Sequence, residues 1–600
     1  NYEFKCSIHD IKPLPSKETP VPYKIASFDI EASSSHGDFP LAQKTYSNLA
    51  YQLVNHFIQH KINRDIAEST FVEILQCAFG FSEHLDIHKL YLKEPISLVH
   101  FENQIEILLR KTEDEVKHKK ISKQRIDTLL SNNDNEKFTG YYQSYKRGVI
   151  LDMLCDNKYD RMLKILYLTD EFGKLFPPIK GDEVTYIGST FCYAGEKPYL
   201  EHCIVLDDKG IGVMELESEI SELEVCKDEK GVLCAWTEVI QREDPDVIIG
   251  YNIFGFDYPF MFKRAIENEC VEDFLKLGRI KDKACVKDIS SPKLEEMNIR
   301  LTRGDFNLNY VLMEGRLQID LLVYMRKDSG FSFASFKLDA VAGELISDKV
   351  SNSEPCKEGT KIYTKNQKGL DLNSYVVFYI MSHTNDPYQN GQKFKIIGME
   401  NDYFIISQKI DFNGLKIKWG LAKDDVSPQD IFRMTNEGPE ERSIIAKYCI
   451  QDCNLVQQLF QKVDILTAYV EMAKLCSVPM SFLMFRGQGI KLTSYVAKKC
   501  REKDTLMPLI SKGEDDEAYE GAIVLEPKCN LYLEDPVACV DYGSLYPSSI
   551  ISENISHDSK VWTKTFDLED NLLEDYGIKN EDGEFIYDNL PNYKYVDIKY

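Results

Sequence analysis

The chain has 600 residues, a length that predicts about three to six domains. Its net charge of −25 (72 Lys and Arg against 97 Asp and Glu) taken alone disfavours binding to nucleic acid, because Lys and Arg make the contacts to phosphates. Hydrophobic residues at 43% and charged residues at 28% exclude a fibrous or wholly disordered chain, and the lack of an apolar run of about 18 residues predicts no membrane span. The 16 cysteines form no CxxC pair, which supports neither a zinc ribbon nor a thioredoxin-type site, and we interpret them as reduced, mostly buried thiols of an intracellular protein.

The predicted elements include both strands and helices. Residues 1–22 are rich in proline, and we interpret them as the end of a preceding domain. Residues 42–176 are rich in Lys, Leu and Ile with helical periods, so we predict a mostly helical insertion there, and we predict an exposed linker over 513–517. Strands are predicted over 24–31, 184–193, 202–207 and 246–250, hairpins over 373–418, and helices over about 229–243 and 439–475.

The strand over 24–31 places Asp29 and Glu31 side by side on one face, because side chains alternate along a strand. Its other face consists of the apolar residues Ala26, Phe28 and Ile30. Two neighbouring carboxylates repel each other unless a cation lies between them. The pair is therefore a candidate metal site, and an edge strand with solvated acids is the alternative.

A second group of polar residues follows the apolar strand that ends at Gly250. Asn252 and Asp257 lie in a turn together with the aromatic residues Phe254 and Phe256. Ligands bind where strands of this kind end, so the turn is a candidate binding element. The alternative is an aromatic loop whose Asp caps the next helix.

A third carboxylate is predicted on a helix. Asp452 shares one helix face with four residues that are otherwise apolar apart from one hydroxyl: Ile445, Tyr448, Val456 and Leu459. A carboxylate on such a face is costly unless it is paired or bound to a metal. The alternative is an Asp that is held by a buried Arg or by backbone amides.

A further candidate site lies near the end of the chain. The apolar segment 537–540 predicts a buried strand that carries Asp541 into a turn at Gly543 and Ser544, followed by a helix. A carboxylate on a strand, followed by free backbone N–H groups, suits a metal-bound triphosphate. For the segment SLYP alone, a simple turn and helix start is the alternative.

The three earlier carboxylate segments resemble the three exonuclease motifs of family B DNA polymerases, in the same order. They are FDIE (28–31), YNIFGFD (251–257) and YCIQD (448–452). The resemblance implies an α/β (α+β) protein with a ribonuclease-H-like exonuclease domain that has a helical insertion and is followed by the start of a polymerase palm domain.

The same resemblance implies roles for single residues. The carboxylates that would hold two divalent ions, Mg²⁺ with Mn²⁺ as a substitute, are Asp29, Glu31, Asp257 and Asp452. Tyr448 would orient the attacking water. The residues that would position an unpaired 3′ terminus by hydrogen bonding and stacking are Asn252, Phe254 and Phe256.

The segment DYGSLYPS (541–548) resembles motif A of the family's polymerase site. This resemblance implies that Asp541 and the backbone carbonyl of Tyr542 bind metal. Backbone amides of Ser544 and Leu545 would bind the triphosphate. Tyr546 would pack under the sugar and reject a 2′-hydroxyl.

Other segments extend the resemblance and imply contacts to DNA. YEGAIVLEP (519–527) resembles the family's segment between the two sites, which implies DNA contacts from Tyr519 and Gly521. Residues 472–491, which contain Arg486, resemble the delta-type replicative enzymes of eukaryotes, as do 315–322 and 332–342. Residues 486–512 carry seven Lys and Arg against two acidic residues, which offers contacts to phosphates; a solvated helix face is the alternative.

The implied domains are the end of an N-terminal domain (1–22), a 3′→5′ exonuclease domain (23–475) and a linker with the first part of the palm (476–600). The implied function is a replicative DNA-directed DNA polymerase with proofreading. Its expected partners are primer–template DNA, a single-stranded 3′ end and dNTPs, with a sliding clamp as a further candidate and no membrane. We expect an intracellular location, in the nucleus or at a viral replication site.

The sequence departs from the family's pattern in two ways. The insertion over 42–176 has no counterpart in the cellular enzymes, which suggests the polymerase of a large DNA virus. The fingers lysine, the second palm carboxylate and the thumb are not found before Tyr600, so we expect a longer natural chain. A dedicated exonuclease, which would have no use for Asp541 with Tyr546, and an inactive scaffold, which would not need the four exonuclease carboxylates, remain alternatives.

Overall fold

The computed structural model describes most of the chain. The described residues are 6–12, 14, 16–17, 21–34, 38–83, 87–110, 150–156, 159–214, 220–301, 304–327, 330–382, 385–423, 426–507, 523–556 and 558–597. They divide into two compact units, residues 1–492 and 493–600. The linker predicted over 513–517, together with Tyr519 and Gly521, lies outside the described residues.

The first strand, β1 (Lys24–Ser33), is followed by a helical subdomain. Its described helices are α1 (Ser47–Gln59), α2 (Arg64–Ala78), α3 (Leu98–Leu109), α4 (Ile150–Cys155) and α5 (Arg161–Leu175). Their apolar faces bury Phe71, Phe101 and Phe172 in a hydrophobic core separate from that of the sheet. The helical periods over 42–176 thus predict the right type of element for the described part of this range.

The chain then alternates between strands and helices. The elements are β2 (Glu183–Tyr193), β3 (Leu200–Leu206), β4 (Glu222–Cys226), α6 (Glu229–Glu243), β5 (Val247–Gly250), α7 (Asp257–Glu267), α8 (Val271–Phe274), β6 (Glu295–Leu301), β7 (Gly304–Tyr310) and β8 (Leu317–Asp320). The sequence-predicted strands and the helix over about 229–243 are confirmed, with ends that differ by a few residues.

Six of these strands form one mixed sheet in the order β4-β3-β2-β1-β5-β8. β1 pairs antiparallel with β2 and parallel with β5, and β5 pairs parallel with β8. The helical subdomain therefore interrupts the chain between two strands that are direct neighbours. The apolar face of β1 is covered, because Phe28 packs against Trp236 of α6 and Tyr258 of α7 at ring-centroid distances of 4.8 and 5.2 Å.

The next segment contains two helices and seven strands. They are α9 (Leu321–Lys327), α10 (Leu338–Leu345), β9 (Ser347–Pro355), β10 (Thr360–Thr364), β11 (Tyr375–Met381), β12 (Asn385–Pro387), β13 (Lys393–Met399), β14 (Tyr403–Ile406) and β15 (Ile417–Ala422). Pairing in the order β11-β13-β14-β10-β9-β15 closes on itself, because β15 also pairs with β11. The hairpins predicted over 373–418 are therefore parts of a closed six-stranded barrel, with β12 attached at the edge of β11.

Five helices follow the barrel: α11 (Pro428–Thr435), α12 (Pro439–Val463), α13 (Ile465–Cys476), α14 (Met480–Phe485) and α15 (Gln488–Glu502). The predicted helical stretch over 439–475 corresponds to α12 and α13. α12 begins with Pro439 in its first turn, where a missing N–H has no cost, and the side chain of Glu441 accepts from the backbone N–H of Gly438.

The second unit contains α16 (Leu545–Ser552) and a hairpin of β16 (Trp562–Phe566) and β17 (Leu572–Gly577). The turn at Gly543 and Ser544 and the helix after it are confirmed. The buried strand predicted over 537–540 is wrong: Val537 and Val540 are 72% and 91% exposed. The physical reason is that no described strand pairs with this segment, and a strand forms only with a partner.

Two chain-wide expectations can also be compared with the structure. All 16 cysteines are free thiols, and eight of them are buried, so the expectation of mostly buried thiols holds for half of them. Across the described residues, no helix combines the length and the apolar character that crossing a bilayer would need.

Candidate active site

Strand β1 presents the carboxylates Asp29 and Glu31 on one face of the sheet. Asp29 pairs in register with Gly188 of β2, and a β-bulge follows Glu31. Bulges re-aim side chains and are common beside active sites. Asp29 is half-buried and Glu31 is 9% exposed, so this pair of charges lies near the protein surface but is largely withdrawn from water.

Helix α12 brings the third carboxylate, Asp452, to this pair. A side chain at Gly188 would place its Cβ 2.8 Å from the Sγ atom of Cys449, so glycine here allows α12 to pack directly on β2. Carboxylate oxygens of Asp29, Glu31 and Asp452 consequently lie within 4.8 Å of one another. Tyr448, one helical turn before Asp452, lies beside the same cluster.

Asp257 is the fourth predicted carboxylate, and it is the first residue of α7. Its side chain is 2% exposed, and the negative charge of Asp29 raises its pKa further after burial has done so. The structure therefore places Asp257 within electrostatic reach of Asp29 and Glu31. All four carboxylates that the sequence assigns to the exonuclease site face one region of the sheet.

The loop between β5 and α7 is held in place by a further acid, Asp320, at the end of β8. Asp320 is fully buried and accepts hydrogen bonds from the backbone N–H groups of Asn252 (3.0 Å) and Phe254 (3.1 Å). It also accepts from Leu322 and Val323 in the first turn of α9. Asp320 thus fixes the loop that leads into Asp257.

A lysine enters the cluster as well. Lys423 directly follows β15, and its Nζ donates to Oδ2 of Asp452 at 2.5 Å. The same Nζ lies 4.2 Å from the centroid of the Tyr448 ring, a favourable cation–π distance. Burial lowers the pKa of Lys423, whereas the neighbouring Asp452 and Tyr448 raise it by a larger amount. The net shift of the pKa is upward, so the lysine is charged at neutral pH.

The carboxylates have strongly perturbed pKa values because they are withdrawn from water and close together. Burial raises the pKa of Asp29 to about 6 against the opposing charge of Lys423, and burial raises that of Asp452 to about 7. The pKa values of Glu31 and Asp257 lie well above their usual range, first through burial and then through the neighbouring carboxylates. One lysine is too little positive charge to balance these four groups.

The cluster has the properties of a site for divalent cations. Its ligands are hard carboxylate oxygens, which Mg²⁺ and Mn²⁺ prefer. Oδ1 of Asp257 and Oδ1 of Asp452 are buried and accept no hydrogen bond from the described residues. A buried carboxylate oxygen without a donor is costly, and bound cations would supply the missing charge.

The three residues predicted to bind a 3′ terminus have different environments. Asn252 and Phe256 are half-buried beside the cluster, and Phe256 packs against Phe39 and Phe260. Phe254 is fully buried and packs against Phe485 at a centroid distance of 5.3 Å. The predicted base stacking on Phe254 needs correction for this reason: its ring faces are occupied by protein in this structure.

Sequence reasoning missed two residues that shape the site. Lys423 precedes two acidic residues after a strand, so the sequence around it predicts a solvated charge. Asp320 lies within residues 315–322, and the resemblance of this segment to the delta-type enzymes implies no role for it. The signal that could have found Asp320 is a single acid at the end of an apolar strand and directly before an apolar helix, where it can cap that helix.

The residues predicted for nucleotide binding lie in the second unit. Tyr542 and Tyr546 are 77% and 71% exposed, and Asp541 is also exposed. Ser544 has a positive φ of 53° and Leu545 begins α16. Arg486 is exposed at the end of α14. The roles predicted for these six residues stay predictions.

Comparisons with known proteins agree with this fold. Residues 156–341 match the family model described as "DNA polymerase family B, exonuclease domain", and residues 478–589 match "DNA polymerase family B". The DNA polymerase of Phaeocystis pouchetii virus is 42% identical over 100% of this chain and 60% of its own length. The DNA polymerase of Pyramimonas orientalis virus is 32% identical over 100% of the chain and 46% of its own length. The DNA polymerase delta catalytic subunit of Glycine max is 28% identical over 64% of the chain.

Two stretches of the chain therefore match models of the family B DNA polymerases, and one of the two is the model of that family's exonuclease domain. Its relatives include viral DNA polymerases and delta-type catalytic subunits. The chain spans 60% or less of the length of these relatives.

Proposed function

We propose that the cluster of Asp29, Glu31, Asp257 and Asp452 is the 3′→5′ exonuclease site of a replicative DNA polymerase. The observation that carries this proposal is the approach of three carboxylates, from β1 and α12, to within 4.8 Å of one another on a ribonuclease-H-like sheet. Acids are brought this close in a buried site when they share cations. The match of residues 156–341 to the family B exonuclease domain supports the same reaction.

The carboxylates would hold two divalent ions, with Mg²⁺ as the proposed ion and Mn²⁺ as a substitute. When bound, such ions supply Lewis-acid activation of the attacking water and stabilisation of the leaving 3′ oxygen. The residues of the chain then have the tasks of holding the ions, orienting the water and positioning the terminal nucleotide.

Tyr448 is suited to orient the water, because burial raises the pKa of its hydroxyl and keeps it a neutral donor. Lys423 is charged and lies against both Tyr448 and Asp452, so it fixes the rotamers of these two side chains. Asn252 and Phe256 remain half-buried beside the cluster and are the residues that we propose to contact the 3′ nucleotide. Phe254 would support them by packing against Phe485.

For the rest of the chain, we propose the roles that the family implies. Residues 1–22 would end an N-terminal domain, 23–475 would form the exonuclease domain and 476–600 would begin the palm. Asp541 would bind metal together with Tyr542, whereas Ser544, Leu545 and Tyr546 would contact the incoming nucleotide. Arg486, Tyr519 and Gly521 would contact DNA.

The proposed partners follow from this function. They are primer–template DNA, a single-stranded 3′ end and dNTPs, with a sliding clamp as a further candidate. The protein would act where DNA is replicated inside the cell, in the nucleus or at a viral replication site. The match of residues 478–589 to the family B polymerase model favours this over a dedicated exonuclease.

The test is a nuclease assay on the double variant Asp29→Asn with Glu31→Gln. We expect the 600-residue chain to shorten a 5′-labelled single-stranded oligonucleotide from its 3′ end in Mg²⁺ or Mn²⁺, and the variant to lose this activity by a factor of about 10³ or more, because ions and water are no longer held. Binding of the oligonucleotide, measured in EDTA, should change little.

A matched control is Glu358→Gln with Asp371→Asn, which removes two exposed acids outside the cluster. This control should degrade the oligonucleotide at the wild-type rate. Degradation by the Asp29/Glu31 variant at an unchanged rate would rule out the proposed site.

A further inference from the structure

We propose that the six-stranded barrel of β9–β11 and β13–β15 is a positioning device for the exonuclease site, with Gly420 and Lys393 as positioning residues that act through Lys423. This inference rests on the proposed function of the carboxylate cluster. It concerns a part of the chain that lies between the two ranges matched by the family models, which end at residue 341 and begin again at residue 478.

The barrel is connected to the cluster through its closing strand. β15 pairs with β11 on one side and β9 on the other, and it ends at Ala422, one residue before Lys423. Ala422 is itself in register with Tyr375 of β11. The position of the Lys423 backbone is therefore set by the strand pairing that closes the barrel.

A close backbone contact seats β15 against the exonuclease domain. A Cβ atom on Gly420 would lie 2.4 Å from the carbonyl oxygen of Gly343 in α10, a distance that no side chain can occupy. Next to it, the backbone N–H of Leu421 donates to the carbonyl oxygen of Ile346 at 2.9 Å. Glycine at 420 thus allows β15 to lie directly on α10, three residues before Lys423.

A second contact comes from another strand of the barrel. Nζ of Lys393, on β13, donates to the carbonyl oxygen of Lys423 at 2.5 Å. Trp419, only 1% exposed, fixes the preceding part of β15 because its Nε1 donates to Oγ1 of Thr364 on β10 at 2.9 Å. In addition to the paired strands β9 and β11, two further strands of the barrel, β10 and β13, therefore hold the backbone from which the Lys423 side chain projects.

Such support has a physical purpose. Lysine has a long, flexible side chain, and ordering it against Asp452 and Tyr448 costs conformational entropy. A fixed backbone limits how far the ammonium group can move from Asp452, where its Nζ lies 2.5 Å from Oδ2. The position of groups around a reacting centre must be precise, since a distant substitution that displaces such a group by about 1 Å can lower the rate about 10²-fold.

The test measures 3′ excision from a single-stranded oligonucleotide by variants of the 600-residue chain. Gly420→Ala should lower kcat by about 10-fold or more with KM within about twofold, because bound DNA is not contacted but Lys423 is displaced. The matched control is Gly398→Ala on β13, whose Cβ would meet only the flexible Ile405 side chain at 3.2 Å, and it should retain the wild-type rate. Lys393→Met removes the second contact without crowding and should lower kcat in the same direction.

The decisive measurement combines each change with Lys423→Met. If the barrel acts through Lys423, then Gly420→Ala and Lys393→Met should cost nothing further in the Lys423→Met background, since neighbouring residues that act as a unit are not additive. Equal losses in both backgrounds would overturn the inference, and so would full activity of Gly420→Ala and Lys393→Met. If the Gly420→Ala variant does not fold, the Lys393→Met variant alone tests whether the barrel acts through Lys423.

The result also separates this inference from the proposed function. An inactive Asp29→Asn/Glu31→Gln variant beside a fully active Lys423→Met variant would refute only the positioning role of the barrel. Activity of the Asp29/Glu31 variant would refute the proposed site itself.

Discussion

At the scale of single residues, the candidate site is a place where burial and charge oppose each other. Asp29, Glu31, Asp257 and Asp452 repel one another, and Lys423, which approaches them, pairs with Asp452. Such an arrangement is unfavourable for folding without cations, and its cost is tolerated at sites where the charges perform chemistry. The repulsion among these buried carboxylates therefore indicates bound metal more directly than the fold does.

A buried histidine outside this cluster gives a prediction about pH. His202 on β3 is 2% exposed, its Nε2 lies 3.3 Å from Glu224, and its Nδ1 has no partner among the described residues. Burial lowers its pKa to about 4, although Glu222 opposes the shift. Because the folded state favours the neutral ring, this residue's contribution to stability is complete above the unfolded pKa of about 6.5 and is lost as pH falls from there towards 4.

When the pH is lowered from 7 to 4.5, we expect the free energy of unfolding to fall less for the His202→Gln variant than for the wild type. The difference between the two decreases should be up to ~3 kcal/mol. Denaturant titrations at both pH values measure this difference. The exposed-histidine variant His100→Gln should behave like the wild type. The same acid-induced loss in His202→Gln and wild type would show that His202 is already charged in the folded protein.

The residue scale also shows how far the sequence predicts the site. The four carboxylates were predictable because each breaks a local rule: two acids adjacent on a strand face, one in an aromatic turn and one on an apolar helix face. Lys423 breaks no such rule in the sequence. Its role depends on the pairing of β15 with β9 and β11, which joins residues about 40 to 75 positions apart and leaves no local periodicity.

At the scale of elements, the helical subdomain over α1–α5 and the barrel are both additions to one sheet, but they relate to the site differently. The helical subdomain has its own hydrophobic core and leaves β1 and β2 paired with each other. The barrel strand β15 ends directly before Lys423, which pairs with Asp452 of the site. The helical periods predicted the first addition well, whereas the hairpin patterns did not predict that the second closes into a barrel, because closure depends on the long-range pairing of β11 with β15.

This difference predicts that the helical subdomain can be removed. The Tyr46 hydroxyl donates to the carbonyl of Pro177 at 2.6 Å, so the ends of residues 46–177 are close in space. Replacing these residues with a short Gly/Ser linker keeps the ion pair of Lys44 with Asp182. We expect the rate of 3′ excision to stay within about tenfold of wild type, a change of about 1.4 kcal/mol in the barrier.

The assay compares the linker protein with wild type after circular dichroism shows that the sheet is folded. The same linker protein with Asp29→Asn and Glu31→Gln is the control for contaminating nuclease. A folded linker protein without activity would contradict the peripheral role of the helical subdomain.

At the scale of the whole molecule, the charge of −25 and the proposed binding of DNA no longer conflict. A concentration of acids is what a divalent-metal site requires, and the DNA contacts are proposed for a basic stretch around Arg486 rather than for the average surface. The sheet order, with β1 at the centre, explains why acids from residues 29 to 452 meet at one place. Matches to family B models in both parts of the chain agree with that organisation.

The central claim is that these acids form one metal centre, and anomalous diffraction from Mn²⁺-soaked crystals of the 600-residue chain tests it most directly. We expect anomalous peaks between Asp29, Glu31 and Asp452, with a second position on the side of Asp257, and their loss in crystals of the Asp29→Asn/Glu31→Gln variant. Crystals that bind Mn²⁺ elsewhere and leave the four carboxylates without a peak, from protein that cleaves DNA in Mn²⁺, would contradict the account.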